Sequence, residues 1–385
     1  MTELPIDPLL PDLLHALDTQ GTAVLQAEPG AGKTTRVPLA LLEAAFTEGK
    51  RIIVLEPRRL AAKAAARQMA RQLGERVGDT VGYRVRLDSK VSDRTRVELV
   101  TDGLFLRQLQ ADPELADVAC VIFDECHERG LESDLALALC LETRSLLTPE
   151  LRLLAMSATL DAEPFARMLD NAPLISSPGR SWPVETRYRE QPLRDRLEVE
   201  VVRSIRQALA EEDGSLLVFL PGQGEIRRVQ DLLTDGGLPA GVQVTSLYGD
   251  LDPRQQDAAI APAPAGERKL VLATSIAESS LTIEGIRVVI DSGLARSARF
   301  DPGSGMTRLV TEKASQASAD QRRGRAGRLG PGVCYRLWTA TEQQLRPAQP
   351  PPDIRTCDPT PLALTLADWG AGTGEDLAWL EPPPA

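Results

Sequence analysis

The sequence predicts an α/β protein of two tandem domains with mainly parallel sheets. Three observations carry this. From Ala23 onward, short apolar runs of strand type alternate with longer apolar-periodic runs of helix type. At Ser176–Pro183 the run Ser-Ser-Pro-Gly-Arg-Ser-Trp-Pro stops the alternation, which then restarts. A chain of 385 residues is long for one domain and comfortable for two.

In the first half, strands are expected at Thr22–Gln26, Arg51–Leu55, Val97–Thr101, Val118–Phe123 and Leu151–Met156. Helices are expected at Arg36–Ala45, Leu60–Leu73, Leu104–Leu109 and Leu135–Leu147. After the break, helices at Leu197–Leu209 and Ile226–Leu233 join strands at Ser215–Leu220, Val242–Leu247, Lys269–Ala273 and Arg287–Asp291. Pro347–Pro352 is proline-rich and Leu362–Trp369 reads as a helix. Roughly forty residues are too few for an independent domain. This tail is therefore expected to pack on the second domain or to open a domain that the chain lacks. The expected boundaries are 1–176, 177–340 and 341–385.

No apolar run is long enough to span a bilayer, and Met1–Pro11 lacks a basic n-region and a signal-type block, so a cytoplasmic protein with no membrane partner is expected. The five cysteines are odd in number and free of CxxC spacing, which reads as reduced thiols without a zinc site. The net charge of −11 argues weakly against nucleic-acid binding, but a basic channel can sit on an acidic protein.

Ala27–Thr35, Ala-Glu-Pro-Gly-Ala-Gly-Lys-Thr-Thr, lies between a strand and a helix. A Gly-rich turn there aims backbone N–H groups and a helix N-terminus at one spot, a ready site for phosphate. Glu28, Pro29, Gly30, Ala31, Gly32, Lys33, Thr34 and Thr35 are the expected nucleotide-binding residues. Lys33 would reach the β- and γ-phosphates and the Thr34 hydroxyl would ligate Mg²⁺. Ala27 stands where the pattern usually has its first glycine.

Val121–Phe123 leads into Asp124-Glu125-Cys126-His127. An acidic pair at a strand's carboxyl end, where parallel sheets bind ligands, is the Walker B arrangement. Asp124 would hold Mg²⁺ through water, and Glu125, on the metal side as well, would orient and deprotonate the attacking water. His127 is read as a polar link to the second domain, and Ser157 and Thr159 as reporters of nucleotide state. Gln321-Arg322-Arg323-Gly324-Arg325-Ala326-Gly327-Arg328 places Gln321, Arg325 and Arg328 on one face of a helix. That face would meet the γ-phosphate as an arginine finger does.

With these motifs in order, the chain resembles a superfamily 2 helicase of the DEAH/RHA group, with Cys126 in place of the Ala. The resemblance covers Leu13–Trp338 and implies two RecA-like domains, with ATP and Mg²⁺ as cofactors. It implies an ATP-dependent helicase or translocase working on single-stranded nucleic acid, RNA expected, with 3′-to-5′ polarity and as a monomer. Glu56-Pro57-Arg58-Arg59 matches motif Ia, implying that Arg58 and Arg59 touch the nucleic-acid backbone. Arg86 matches the arginine before the family's hook turn, Thr101-Asp102-Gly103 matches the motif Ib clamp, and Thr274 in motif V is expected on a phosphate. Arg296–Lys313 resembles the family's β-hairpin, and Asp353–Trp369 the start of its winged helix. No aromatic base-selecting motif precedes Thr22, so other NTPs are expected to substitute for ATP.

Overall fold

The computed structural model describes residues 4–158, 162–177, 182–278 and 283–384. The chain divides into two compact units, Met1–Arg180 with Pro352–Ala385, and Ser181–Pro351. Among the described residues no helix is long and apolar enough to cross a membrane.

In the first unit the strands are β1 (Thr22–Gln26), β2 (Arg51–Leu55), β3 (Val81–Val85), β4 (Asp88–Lys90), β5 (Val97–Val100), β6 (Val118–Phe123), β7 (Arg152–Ser157) and β8 (Leu174–Ser176). They form one sheet in the order β4-β3-β5-β2-β6-β7-β1-β8, parallel except at the β3–β4 pair. Its helices are α1 (Leu10–Thr19), α2 (Lys33–Leu41), α3 (Arg59–Leu73), α4 (Asp102–Ala111), α5 (Leu131–Leu146) and α6 (Glu163–Met168). The central strands are apolar at nearly every position because both faces are covered. Ile53, Leu55, Val121 and Phe123 enter the core under α4 and α5. Ile52, Val54, Cys120 and Ile122 enter the opposite core under α1, α2 and α3.

In the second unit the elements are β9 (Val184–Arg189), α7 (Leu197–Glu211), β10 (Ser215–Phe219), α8 (Gln223–Gly236), β11 (Val242–Leu247), α9 (Pro253–Ile260), β12 (Arg268–Ala273), β13 (Ile286–Asp291), the antiparallel pair β14 (Leu294–Asp301) and β15 (Met306–Lys313), α10 (Gln316–Gly324), β16 (Gly332–Thr339) and α11 (Ala340–Gln344). The parallel sheet runs β11-β12-β10-β13-β16-β9, and β14–β15 stands apart as a two-stranded hairpin.

The C-terminal segment corrects one expectation. It packs on the first unit, where Ile354, the α12 (Thr360–Trp369) residues Leu362 and Leu366, and Leu377 complete the α4–α5 core. The Trp369 indole donates to Glu142 and the Gln110 amide donates to Asp368 at 2.9 Å. A piece too short for its own core lowers its free energy by covering apolar surface already present. Leu366→Ala is expected to destabilise the first unit by about 2 kcal/mol, the low end for a Leu-to-Ala change. Hydrogen exchange of β2 and β6 amides measures it, and unchanged exchange there would show the tail to be dispensable.

Candidate active site

The turn after β1 is shaped by two left-handed glycines, Gly30 at φ +91° and Gly32 at +96°. Gly32 caps α2, and a Cβ there would lie 2.6 Å from the Leu4 side chain. Ala27 is held by its N–H donating to Ser157 O of the neighbouring strand end at 3.0 Å, and Ala31 by donating to Glu28 O at 3.1 Å. Glu28 and Gly30 are exposed, and Pro29, Thr34 and Thr35 partly so. The first N–H groups of α2 have no carbonyl within the helix, so they are available to phosphate oxygens.

Lys33 is buried, and its ammonium sits 3.1 Å from Glu125 Oε1. Burial works against the charge, but Glu125 and then Asp124 outweigh it and hold the lysine pKa above its ordinary value. The Thr34 hydroxyl donates to Asp124 Oδ2 at 2.5 Å. Burial, with Glu125 adding to it against the pull of Lys33, pushes the Asp124 carboxyl up to about 6. Glu125 has φ +53°, a left-handed conformation costing about 1–2 kcal/mol in a non-glycine residue. Such strain persists where surrounding packing fixes it, and here it falls on the expected base.

Sequence reading missed a third carboxyl. Leu55 pairs with Phe123 across β2 and β6, so Glu56 and Asp124 leave adjacent strand ends side by side. Glu56 is wholly buried, and among the described residues neither carboxylate oxygen finds a donor. Burial first, then Asp124 and Glu125, holds its carboxyl well above the ordinary range. The detectable signal was two acidic residues each following an apolar strand.

Three buried carboxyls against one ammonium is an excess of negative charge in a dry site, which is costly unless compensated. The donor set suits a hard divalent ion: the Thr34 hydroxyl and Asp124 could hold it, with Glu125 beside them. Among the described residues no group of three or more His, Cys, Asp or Glu is placed to hold a metal alone.

His127 is tied within its own unit. Its Nδ1 accepts from the Ala158 N–H at 3.3 Å, and burial lowers its pKa. The same Nδ1 lies 3.5 Å from Glu125 Oε2, so the ring joins the acidic box to the end of β7. The described link runs from the acidic box to Ala158, beside the buried Ser157. Thr159 lies outside the described residues.

The expected nucleic-acid contacts divide. Arg59 and Arg86 are exposed. Arg58 donates to both oxygens of Glu128 at 3.2 Å. Thr101 is half-buried before α4. Asp102 is buried, and its carboxylate cannot meet a phosphate favourably, so a clamp here falls to the N-terminal backbone of α4.

Burial, aided by Glu132, Glu128 and Asp134, lifts Asp102 from 3.8 to about 7. The folded protein therefore keeps a proton that the unfolded chain gives up near pH 4. The stability this residue allows is fully present below about 4 and is lost as pH rises through about 7. Asp102→Asn is expected to flatten that fall and to gain about 2–4 kcal/mol at pH 8. Urea midpoints at pH 5 and pH 8 measure it, and identical pH slopes would remove Asp102 as the cause.

In the second unit Thr274 is half-buried, its N–H donating to Leu247 O at 3.1 Å. The expected single helical face is interrupted. α10 ends at Gly324, and Arg325–Gly327 form one 3₁₀ turn. The tighter winding shifts Arg325 and Arg328 relative to Gln321. Arg325 is buried and donates through Nε to Glu278 O at 2.9 Å. Gln321 and Arg328 are half-buried.

Two family models match in tandem: DEAD/DEAH box helicase over residues 11–167 and helicase conserved C-terminal domain over 199–330. The chain belongs to the DEAD/DEAH box helicases. It is 49% identical over 384 residues to the ATP-dependent RNA helicase HrpB of Escherichia coli K12, covering all of this chain and 47% of that protein. It is 39% identical over 390 residues to the pre-mRNA-splicing factor ATP-dependent RNA helicase prp22 of Schizosaccharomyces pombe, covering 99% of this chain and 33% of that one. A crystal structure of the Escherichia coli DEAH/RHA helicase HrpB superposes with a TM-score of 0.94 at 49% identity, covering 99% of this chain and 48% of the other. The chain thus spans about half, or a third, of the curated relatives it matches. The fold is that of two RecA-like domains.

Proposed function

We propose that the chain is the motor of an ATP-dependent helicase or translocase that moves 3′-to-5′ on single-stranded nucleic acid, RNA in preference to DNA. The observation that carries this is the close group of buried Lys33, Asp124 and Glu125 with half-buried Thr34 beyond the carboxyl ends of β1 and β6. ATP, or another NTP, binds with its phosphates over the turn Glu28–Thr35. Mg²⁺ held by Thr34 and Asp124 would offset the charge that builds on the phosphates. Lys33 steadies the γ-phosphate, and Glu125 orients the attacking water and takes its proton. Arg325 and Arg328 of the second unit supply positive charge to the same phosphate, and Gln321 a neutral hydrogen-bonding amide. Arg58, Arg59, Arg86, Thr101 and Thr274, with the backbone at Asp102, grip the strand through its phosphates, which gives little base specificity. His127, Ser157 and Thr159 carry nucleotide state towards that grip. The working form is a cytoplasmic monomer.

Steady-state hydrolysis with and without single-stranded RNA tests this. The expected result is a rate raised by RNA, raised less by DNA of the same sequence, and abolished by Lys33→Ala. Equal stimulation by DNA would favour a DNA translocase. Nucleic-acid binding without hydrolysis would favour a scaffold, and hydrolysis surviving Lys33→Ala would overturn the site.

A further inference from the structure

The hairpin β14–β15 is a two-stranded ladder outside the main sheet, and β15 is exposed along almost its whole length. Such a hairpin is at best marginally stable by itself in water. Its strands of eight residues reach about 27 Å at ~3.4 Å per residue. A tilt of about 10° at the root would therefore carry the tip about 5 Å. Whatever the hairpin does at its tip depends on what fixes its root.

One buried side chain bridges the two flanks of the root. Gly293 and Ala314 immediately flank the hairpin, and Arg346 Nη1 donates to both of their carbonyls, at 2.7 and 2.8 Å. Arg346 is buried, and its guanidinium stacks on Trp338 at 4.0 Å from the ring centroid. Gly293 has φ +71°, and a Cβ there would lie 2.6 Å from Trp338, so the turn is pressed onto the same indole. The Arg346 carbonyl in turn accepts from the Gln316 amide at 2.9 Å, and the Gln316 N–H donates to Pro347 O at 2.9 Å. Gln316 opens α10, the helix that carries Gln321 and Arg322. Arg322 donates to Leu294 O, the first residue of the hairpin, at 3.1 Å.

We propose that Arg346 is a positioning residue that locks the hairpin root to the start of α10, so that the hairpin and the arginine-bearing helix move as one lever. The hairpin bears Arg296, Arg299, Arg308 and Lys313 against Asp301 and Glu312, and exposes Met306 and Leu309 near its tip. A basic arm on a chain of net charge −11 suits a polyanion such as a nucleic-acid backbone. The consequence for nucleic acid rests on the helicase reading above; the lock itself does not.

The test compares wild type, Arg346→Met and Arg346→Lys. It measures backbone hydrogen exchange, basal and RNA-stimulated ATP hydrolysis, and affinity for an oligouridylate. Because the partners of Arg346 are neutral carbonyls, its loss strands no buried charge. In Arg346→Met, exchange across 294–313 should rise at least about tenfold while β10, β12 and β13 stay protected. Basal hydrolysis should be unchanged, whereas oligouridylate affinity and RNA stimulation should fall about tenfold. Arg346→Lys, able to reach one carbonyl, should recover part of each. Unchanged hairpin exchange, or equal loss of protection in the main sheet, would overturn the lock. A loosened hairpin with unaltered RNA affinity and stimulation would overturn its role towards nucleic acid. A wild type that neither binds RNA nor responds to it would sink the helicase reading instead, and the exchange data would still decide the lock.

Discussion

Glu125→Gln is expected to hydrolyse ATP about a thousandfold more slowly than wild type and still to bind it. Proton transfer by a positioned base contributes roughly 10²–10⁴-fold, and a thousandfold is about 4 kcal/mol of barrier. Gln keeps the shape of Glu, and its amide oxygen can still accept from Lys33, whose ammonium lies 3.1 Å from the present carboxylate. Folding and nucleotide binding should therefore survive while the proton acceptor is gone. The left-handed backbone at residue 125 is retained, so the amide stays where the carboxylate was. Single-turnover hydrolysis beside a nucleotide-affinity measurement separates the outcomes. A wild-type rate would remove Glu125 as the base. Lost binding with an unchanged chemical step would make it a structural partner of Lys33.

Most of the fold was legible because the central strands are buried on both faces and so read as unbroken apolar runs. Every position of β6 and β10 is buried. The strands that escaped notice have mixed composition. β3 is Val-Gly-Tyr-Arg-Val, its arginine paired with Glu98 at 2.6 Å. The edge strand β9 is Val-Glu-Thr-Arg-Tyr-Arg, with one side towards solvent. β3 pairs with the nearby β4 and β5, but its glycine and arginine interrupt the apolar run, whereas β9 pairs with β16, a neighbour distant in sequence that no local pattern encodes. The same holds for the tail: Leu362 and Leu366 advertise a helix but not the surface that it covers.

The candidate site divides along the same line. Lys33, Thr34, Asp124 and Glu125 were readable because each motif is local and its chemistry follows from adjacent residues. Glu56 was not, since its meaning lies in the register of β2 against β6. Arg58 looked like a phosphate contact until Glu128, seventy positions on, was found within reach of its guanidinium. A ligand phosphate would have to compete with that carboxylate, so the contact expected of Arg58 comes at the expense of an existing ion pair.

Arg322 shows why an arginine-rich motif should not be read as uniform. Arg322→Met is expected to destabilise the second unit by about 3–5 kcal/mol, the range for removing one partner of a buried ion pair. Arg322 is only 1% exposed. It donates to Glu278 Oε1 at 2.7 Å and to Asp291 Oδ1 at 2.8 Å, and its guanidinium stacks over Phe219 at 5.1 Å. Its two carboxylates hold it firmly charged despite burial. Methionine would fill the volume but leave both acids without their common cation, and Asp291 Oδ2 already lacks a hydrogen-bond donor. Against a whole-domain stability of about 5–15 kcal/mol, that loss brings the second unit close to its unfolding threshold. Urea unfolding read by hydrogen exchange of β10 and β13 measures it. A triple variant, Arg322→Met with Glu278→Gln and Asp291→Asn, should regain much of the loss, because no charge is then left buried. If Arg322→Met unfolds at the wild-type urea concentration yet hydrolysis collapses, Arg322 acts on nucleotide and not on the fold. The expected pattern is the reverse: inactivity that follows unfolding.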